Sequence, residues 1–327
     1  MIQATLRLAG KAALAVALAG TSVLAHAQDA FPSHPINLVS PFPPGGATDM
    51  IARVLGDAMS KRLGQSVVVV NRPGGGTTIG AAYVARERPD GYTLLLATSS
   101  TLITSRFLYK NLQFDPDAMV PVGVVGTAPM ILLTSKKRGF HDAAGLVDYA
   151  RKHPGDLSVA SQGSGTLSHL LAECFQSATQ TRMTHIPYKG SSEAMPALIN
   201  GDVDVFFDNV GTGMAQVKGG RAEVLGGSGR QRLSEYPEIP TLDEAGFPGC
   251  DLSAWWALMA PPATPPAVVA RLNEALKAAL KEDTVRRKIL EAGTEPADGA
   301  IEPYAGLVRA DVPLIGELVK RANVTVQ

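Results

Sequence analysis

The chain has 327 residues, with 30 basic and 30 acidic side chains and a formal net charge of +0. This balance disfavours a nucleic-acid partner, which usually requires a basic face, and the 6% of aromatic residues disfavours a sugar or nucleobase cleft lined by rings. A chain of this length is long for a single core and suits two lobes of ordinary size.

The N-terminal segment predicts export. A short positive region and an uncharged apolar run over residues 12–25 precede Ala25-His26-Ala27, which has the small-x-small pattern of a signal-peptidase site. The run is shorter than the ~20 residues that a membrane-spanning helix requires, and no cysteine lies near the cut to carry a lipid. We therefore predict a signal peptide over residues 1–27, a mature protein in the periplasm and no stable membrane insertion. A retained, buried N-terminal helix is the alternative.

Short β-rich runs then alternate with helical runs, which is typical of a mostly parallel sheet covered by helices. In the first part of the chain we predict strands at residues 36–42, 67–70 and 93–97. A Pro- and Gly-rich segment at residues 43–47 ends the first strand, and Thr48 is placed to cap the helix that follows.

Two β runs at residues 120–125 and 130–134, separated by Pro129, predict a crossing into a second lobe. There the alternation resumes, and a later apolar segment returns the chain to the first lobe. The predicted fold class is α/β with two lobes, the first at residues 28–127 plus 254–327 and the second at residues 128–253. Ligands collect beyond the carboxyl ends of the strands in such sheets. The lobes should therefore face each other across a cleft that closes by hinge motion.

Cys174 and Cys250 are the two cysteines of the chain. An oxidising compartment would let a disulfide between them persist. Cys174, however, belongs to an apolar helical stripe with Leu171 and Phe175, and the core face of a helix rarely offers a bridge to a distant loop. We predict that Cys174 is a buried free thiol, with a Cys174–Cys250 disulfide as the alternative.

Two short loops are candidate halves of a ligand site: Gly45-Gly46-Ala47-Thr48 and Gly163-Ser164-Gly165-Thr166. Each lies between a predicted strand and the start of a helix, where the first backbone N–H groups have no internal partner and the dipole is positive. Glycine lets a ligand approach the backbone, and threonine adds a hydroxyl donor. These features favour a carboxylate or phosphate site without charged side chains. Each loop alone is also compatible with an ordinary tight turn, but their occurrence in both halves favours binding.

Further candidates lie near the carboxyl ends of predicted strands. The full set of predicted ligand-binding residues is Phe42, Gly45, Gly46, Ala47, Thr48, Ser99, Ser100, Ser164, Gly165, Thr166 and Asp208. For His169 we adopt a packing role, with a catalytic base or ligand contact as the alternative. The sequence has no Gly-x-Ser-x-Gly elbow, no His-Glu-x-x-His metal helix and no phosphate-binding loop ending in Gly-Lys-Ser/Thr. We therefore predict no catalytic residue, no metal and no cofactor.

Six motifs occur along the chain in a fixed order. They are Ser40-Pro-Phe-Pro-Pro-Gly-Gly-Ala-Thr-Asp49, Asn71-Arg-Pro-Gly-Gly-Gly76, Pro89-Asp-Gly-Tyr-Thr-Leu-Leu-Leu-Ala-Thr-Ser99, Gly163-Ser-Gly-Thr-Leu-Ser-His169, Ile186-Pro-Tyr-Lys-Gly190 and Phe207-Asp-Asn209. From about Phe31 to near the C-terminus, the chain resembles the receptors of the tripartite tricarboxylate transporter family, also called the Bug family.

The resemblance implies a Venus-flytrap fold like that of type II periplasmic binding proteins. It also implies a periplasmic receptor, without enzymatic activity, that delivers a small carboxylate to a two-subunit membrane permease. Ligands of the family include citrate-like acids, dicarboxylates, acidic amino acids and aromatic carboxylates. The family tends to hold one ligand carboxylate through backbone groups and bridging waters of the first-lobe loop, which agrees with the charge-poor loops here. We expect a monomer that contacts its permease transiently.

The chain departs from the family pattern at the wall of the second lobe. The usual Ala-Gly-Asn-Gly-Thr is Gln162-Gly-Ser-Gly-Thr166 here, and Asp208-Asn209 is followed by Val-Gly-Thr instead of the commoner Leu-Pro-Ser. Both changes should face the variable end of the ligand and so bear on specificity, not on the fold. Two other functions stay open: a sensor that signals to a membrane kinase, and a secreted hydrolase that uses His169 with Ser164 or Ser168.

Overall fold

The computed structural model describes residues 31–233, 235–321 and 324. The predicted signal peptide and its cleavage site lie outside these residues. In chain order the elements are β1 (Ile36–Ser40), α1 (Ala47–Leu63), β2 (Val67–Asn71), α2 (Thr78–Ala85), β3 (Thr93–Thr98), α3 (Ser105–Leu108), β4 (Val120–Ser135), α4 (Ala143–Lys152), β5 (Ser158–Ser161), α5 (Leu167–Thr179), β6 (Thr184–Pro187), α6 (Ser191–Asn200), β7 (Val205–Asn209), α7 (Val210–Lys218), β8 (Ala222–Gly227), β9 (Ser253–Ala260), α8 (Pro266–Leu280), α9 (Asp283–Glu291), β10 (Glu295–Pro296) and α10 (Glu302–Arg321).

The first lobe is built on three parallel strands. β1 lies between β2 and β3, with Leu38 opposite both Val69 and Leu94. The whole of β3 is buried, as expected for a parallel strand covered on both faces. Helix α1 starts just beyond the carboxyl end of β1 and buries Ile51 and Leu55. Helix α8, from the C-terminal part of the chain, packs against α1. Both ends of the described chain therefore contribute to this lobe.

The second lobe repeats the arrangement. β5 lies between β6 and β7 in parallel, with Ala160 opposite Ile186 and Phe206. Helices α5, α6 and α7 begin after the carboxyl ends of β5, β6 and β7. The starts of these helices consequently gather at one edge of the sheet, which is the edge that faces the loops of the first lobe.

Two long antiparallel strands join the lobes. β4 pairs with β9 from Val120 to Pro129 and then with β7 from Met130 to Thr134, so the strand order β2-β1-β3-β9-β4-β7-β5-β6 runs through both lobes. The two β runs predicted around Pro129 are one continuous strand. Proline is tolerated because it sits where the pairing changes partner, and no ladder bond from its nitrogen is needed there. The predicted lobe limits fall within β4 and β9. The two-lobed α/β fold is confirmed.

The prediction of a free thiol is wrong, because Cys174 and Cys250 form a disulfide. The helical pattern correctly placed Cys174 on the buried face of α5, but it did not reveal what covers that face. The covering segment precedes β9, and its Phe247 packs edge-to-face on Phe175, with ring centroids 5.8 Å apart. The same segment brings Cys250 to a Cα–Cα distance of 5.8 Å from Cys174.

Candidate ligand-binding site

Asp49, in the first turn of α1, organises the first candidate loop. Its carboxylate accepts the N–H of Gly45 at 3.0 Å, two guanidinium bonds from Arg53 at 3.0 Å and the amide of Asn71 at 2.8 Å. Burial raises the pKa of Asp49, but the hydrogen bonds from Arg53, Asn71 and Gly45 outweigh it and hold the pKa below its usual value. Asn71 also donates to the carbonyl of Phe42 at 3.0 Å. The carboxylate therefore fixes the loop while Arg53 neutralises its charge.

The same loop leaves backbone donors open at the start of α1. Gly46 is the N-cap residue, with an extended backbone, and no side chain caps the helix. Among the described residues, none accepts a hydrogen bond from the amides of Gly46, Ala47 or Thr48. A Cβ added at Gly46 would meet no atom within 4 Å, so there is open space beside this residue. Unpaired N–H groups at the positive end of a long helix form an anion site.

Thr48 does not cap α1 as predicted, because the helix begins one residue earlier, at Ala47. The Thr48 hydroxyl instead accepts the ring N–H of Trp256 on β9 at 3.0 Å, and both side chains are buried. This bond ties the first loop to a strand that joins the lobes. It leaves the hydroxyl proton of Thr48 available as a donor.

Three buried hydroxyl groups without a hydrogen-bond partner lie at the carboxyl edge of the first lobe, on Ser40, Thr77 and Ser99. Ser40 ends β1, Thr77 follows β2 and Ser99 follows β3, and the three strands are parallel neighbours. An unsatisfied buried hydroxyl costs about 1–3 kcal/mol. Such groups at one edge of a sheet indicate a place where a polar ligand or water is held.

The second candidate loop, over residues 162–166, uses most of its backbone donors within its own lobe. The N–H of Gly163 donates to Ser161 Oγ at 3.2 Å, and the hydroxyl of Thr166 donates to the carbonyl of Gly163 at 2.8 Å. The N–H of Gly165 donates to His169 Nδ1 at 3.1 Å. The two loops are therefore unequal, since only the first presents a row of open amides. Ligand contacts from Gly165 and Thr166 stay a prediction that would require these bonds to change.

Two stacked imidazoles support the second loop. The rings of His169 and His185 lie 3.9 Å apart at an angle of 8°. His169 Nδ1 accepts the Gly165 amide, which places its proton on Nε2, and His185 Nε2 lies 2.7 Å from Ser161 Oγ. Burial, with a smaller contribution from the charge of His185, lowers the pKa of His169 to about 3. Burial lowers the pKa of His185 to about 4. Both rings are neutral at physiological pH, and they hold the loop through the Gly165 amide, which donates to His169, and through the Ser161 hydroxyl, which is hydrogen-bonded to His185.

Asp208, at the end of β7, is fully buried. Its carboxylate accepts from Ser191 Oγ at 2.5 Å, Thr212 Oγ1 at 2.6 Å and Gln162 Nε2 at 2.8 Å. Burial raises the pKa of Asp208, and these hydrogen bonds together with the Asn209 amide lower it in part. The predicted ligand contact of Asp208 stays a prediction; in the structure its carboxylate is covered by Gln162, which donates to it.

A cavity of about 260 Å³ lies between the lobes. It is lined by Pro41, Phe42, Gly74, Gly75, Gly76, Thr77, Tyr109, Gln162, Gly163, Ser164, Tyr188 and Lys189. Of the predicted ligand residues, Phe42 and Ser164 line this cavity, whereas the amides of residues 46–48, Ser99 and Ser100 do not. The glycines after β2, the two tyrosines, Gln162 and Lys189 were not predicted as site residues. Position at the carboxyl end of β2 was the signal that could have identified the glycines.

The lobes touch around this cavity. Tyr109 donates its hydroxyl to the carbonyl of Ser164 at 3.3 Å. A Cβ at Gly76 would lie 2.4 Å from the same carbonyl oxygen, and a Cβ at Gly190 would lie 2.9 Å from Pro43. Both contacts therefore depend on the absence of a side chain. Glycine at these two positions lets one lobe approach the backbone of the other.

Two of the groups named for the hydrolase alternative, Ser168 and His169, are engaged with the backbone. Ser168 donates its hydroxyl to the carbonyl of Phe207 at 2.6 Å, and His169 Nδ1 accepts from Gly165. In the described part of the chain, no three His, Cys, Asp or Glu side chains group as ligands for a metal ion. No helix within the described ranges is long and apolar enough to cross a membrane.

Residues 51–324 match the family model described as "Tripartite tricarboxylate transporter family receptor". The chain belongs to this receptor family. The family membership predicted from the six motifs is thereby confirmed. A Pseudomonas sp. (strain P51) relative, the UPF0065 protein in the tcbD-tcbE intergenic region, is 38% identical over 302 residues, which cover 92% of this receptor and 90% of the relative.

Solved structures of family members show the same fold. The periplasmic binding protein BugD is 34% identical, with a TM-score of 0.86, over 91% of this receptor and 100% of BugD. An R. palustris protein solved with adipate is 32% identical, with a TM-score of 0.87, over 90% of this receptor and 99% of that chain. MatC from Rhodopseudomonas palustris, solved with malate, is 31% identical, with a TM-score of 0.84, over 88% of this receptor and 100% of MatC. These relatives are solute-binding proteins.

Proposed function

We propose that this receptor works in the periplasm, where it captures a small carboxylate between its lobes and delivers it to the two-subunit membrane permease of a tripartite transporter. The observation that carries the proposal is the row of open amides at Gly46, Ala47 and Thr48. A carboxylate placed there accepts several N–H bonds at the positive end of α1 without needing a charged side chain. The adipate and malate bound by two relatives are small dicarboxylates, which supports the proposal.

The charges around the cleft also favour an anion. Of the described residues that line the cavity, Lys189 alone carries a charge. The two nearby carboxylates are withdrawn from the ligand, because Asp49 is bound by Arg53 and Asp208 is fully buried. An anionic ligand in the cavity therefore meets one cation, Lys189, and no acid among the described lining residues.

We further propose that the ligand leaves chemically unchanged and that the receptor acts as a monomer, with neither a cofactor nor a nucleic-acid partner. Ser168 donates its hydroxyl to the backbone and His169 Nδ1 accepts from the backbone, so these two side chains do not form the hydrogen-bonded pair that a serine nucleophile requires. A receptor that signals to a membrane kinase would bind the same ligand and differ only in its membrane partner.

A thermal-shift screen against mono-, di-, tri- and aromatic carboxylates tests the proposal. A ligand at 100 times its Kd adds about 2.7 kcal/mol of stability, and for a chain of this size that raises the Tm by roughly 2–4 °C per kcal/mol. Gly46→Val should fold, because Gly46 has a φ of −85° and an added Cβ meets no protein atom. Its isopropyl group would fill the space beside the amides, so the variant should lose the shift.

Gly306→Val is the matched control. Gly306 is an exposed glycine of α10, and an added Cβ there also meets nothing within 4 Å. This variant should retain the ligand-induced shift of the wild type. Wild-type affinity in Gly46→Val, or the absence of any carboxylate that raises the Tm of the wild type, would show that the proposed capture is wrong.

A further inference from the structure

Gln162 lies between the cavity and the buried carboxylate of Asp208. Its side chain is 6% exposed and lines the cavity, whereas Asp208 is 0% exposed and does not. Gln162 Nε2 donates to Asp208 Oδ1 at 2.8 Å and to Ser191 Oγ at 3.0 Å. A carboxylate accepts hydrogen bonds, so the nitrogen of the amide is the atom that must point toward Asp208. Both hydrogens of that nitrogen are therefore used.

Most of the acceptor capacity of Asp208 is used by the protein. A carboxylate offers about four acceptor positions. Asp208 Oδ1 accepts from Gln162 and Ser191, and Oδ2 accepts from Thr212. Donors from the protein therefore occupy three of these positions. Asp208 is also the acidic group that the cavity wall conceals, since no carboxylate is among the described lining residues.

This arrangement bears on ligands that carry an ammonium group. A buried ammonium is strongly unfavourable unless an anion or several acceptors pair with it. Here the one charged side chain among the described lining residues is Lys189, which repels an ammonium, and the buried carboxylate of Asp208 is hydrogen-bonded and covered by Gln162. A dicarboxylate without an amino group meets no such penalty.

We propose that Gln162 is a specificity-determining residue. By covering Asp208, it makes the receptor select carboxylates that lack an α-amino group over acidic amino acids of the same length. This inference rests on the proposed function, because it concerns which carboxylate the same cleft accepts. It assigns plain dicarboxylates as the ligand class.

Calorimetric titration near neutral pH with three matched pairs tests the assignment. The pairs are succinate and L-aspartate, glutarate and L-glutamate, and adipate and 2-aminoadipate. In the pair that binds best, the wild type should bind the unaminated acid at least about tenfold more tightly. Gln162→Ala uncovers Asp208 and removes one of its donors, so the ratio of the two Kd values should fall by about threefold or more.

Two further variants separate specificity from folding. Gln162→Asn keeps the amide but is one carbon shorter, so it should lower the ratio even if Gln162→Ala folds poorly. Thr212→Val is the matched control, because it removes a donor from the other oxygen of Asp208 at a residue that does not line the cavity. That variant should keep the wild-type ratio.

The outcomes distinguish this inference from the proposed function. Equal binding of both members of a pair by the wild type, or an unchanged ratio in both Gln162 variants, would overturn the inference while carboxylate capture stands. An equal fall of the Kd ratio in Thr212→Val and in Gln162→Ala would also overturn it. The effect would then come from the lost hydrogen bond to Asp208 and not from exposure of Asp208 to the cavity. Absence of binding for every carboxylate would overturn both.

Discussion

The hydroxyl of Ser100 in the first lobe accepts the N–H of Leu167, the first residue of α5 in the second lobe, at 2.8 Å. Both residues are buried. A side chain from one lobe thus occupies the start of a helix in the other, at the position where the sequence predicted a second anion site. The bond can form only when the lobes are in contact, so it stabilises the closed arrangement of the cleft.

We expect Ser100→Ala to weaken ligand binding. The variant leaves the buried Leu167 amide unpaired in the closed form, while in an open form that amide can meet water. A difference of about 1 kcal/mol corresponds to roughly a fivefold rise in Kd. Calorimetric titration measures the change, and small-angle scattering should show a larger radius of gyration than the liganded wild type has.

Ser105→Ala is the control for Ser100→Ala. Ser105 is also a buried serine, and its hydroxyl donates to the carbonyl of Thr101 within the first lobe at 2.7 Å. Its removal should lower stability without changing the Kd. An equal effect of both variants on the Kd would mean that the bond across the lobes does not contribute to closure.

Gly76→Ala should prevent full closure. The added Cβ would lie 2.4 Å from the carbonyl oxygen of Ser164 and 2.6 Å from the hydroxyl of Tyr109, and the first of these atoms is backbone. Because Gly76 also has a φ of +55°, the effect must be separated from backbone strain. Gly220→Ala provides that control, since Gly220 has a φ of +68° and an added Cβ there meets nothing within 4 Å. We expect weaker ligand binding in Gly76→Ala alone; unchanged binding would show that this contact is dispensable.

The disulfide should contribute substantially to stability. It closes a loop between residues 76 positions apart, and removal of a native disulfide typically costs about 2–5 kcal/mol. The double variant Cys174→Ala/Cys250→Ala should lose stability of that order in urea unfolding. A reductant should destabilise the wild type and leave the double variant unchanged. Mass spectrometry of the non-reduced, denatured protein should find the two cysteines linked, and two alkylatable thiols would contradict the structure.

Periodicity predicted the parallel parts of the fold well because buried strands and amphipathic helices have strong local patterns. The predicted strands before Gly45, before Arg72 and before Ser99 all exist, and so does the helix that carries Cys174. The pairing of Cys174 was missed because it depends on a segment 76 positions away, which no local pattern encodes. A break at Pro129 was predicted for a similar reason. A proline inside β4 is tolerated because the strand changes its pairing partner there, and no local pattern shows that change.

The candidate site was predicted in its outline but not in its inner contacts. Backbone geometry at Gly46 follows from a strand–glycine–helix pattern, and the open amides agree with it. In contrast, the occupied amide of Gly165 depends on His169 in the next turn, and the cover over Asp208 depends on a glutamine 46 positions away. Such side-chain bonds form between elements that only the folded chain brings together.

The buried imidazole pair predicts that stability falls with acid. Burial lowers the pKa of His169 to about 3 and that of His185 to about 4, against an ordinary value of 6.5 in the unfolded chain. Above pH 6.5 both imidazoles are neutral in the folded and in the unfolded chain, so the free energy of unfolding is not reduced by their protonation. As the pH falls below 6.5, the unfolded chain binds protons that the folded chain excludes. The free energy of unfolding should then fall by up to about 1.4 kcal/mol per pH unit for each imidazole, until the pH reaches the folded values.

The carboxyl groups of Glu173 and Asp208 have raised pKa values, so their protonation raises the free energy of unfolding as the pH falls. The effect of the imidazoles must therefore be isolated by comparison with a variant. His169→Gln keeps an acceptor for the Gly165 amide but does not titrate in this range. Urea unfolding between about pH 7.5 and about pH 4.5 should show a shallower decline for this variant than for the wild type. His141→Gln, at an exposed position, should follow the wild type. If the free energy of unfolding of His169→Gln declines as steeply as that of the wild type, protonation of the buried ring is not what destabilises the protein in acid.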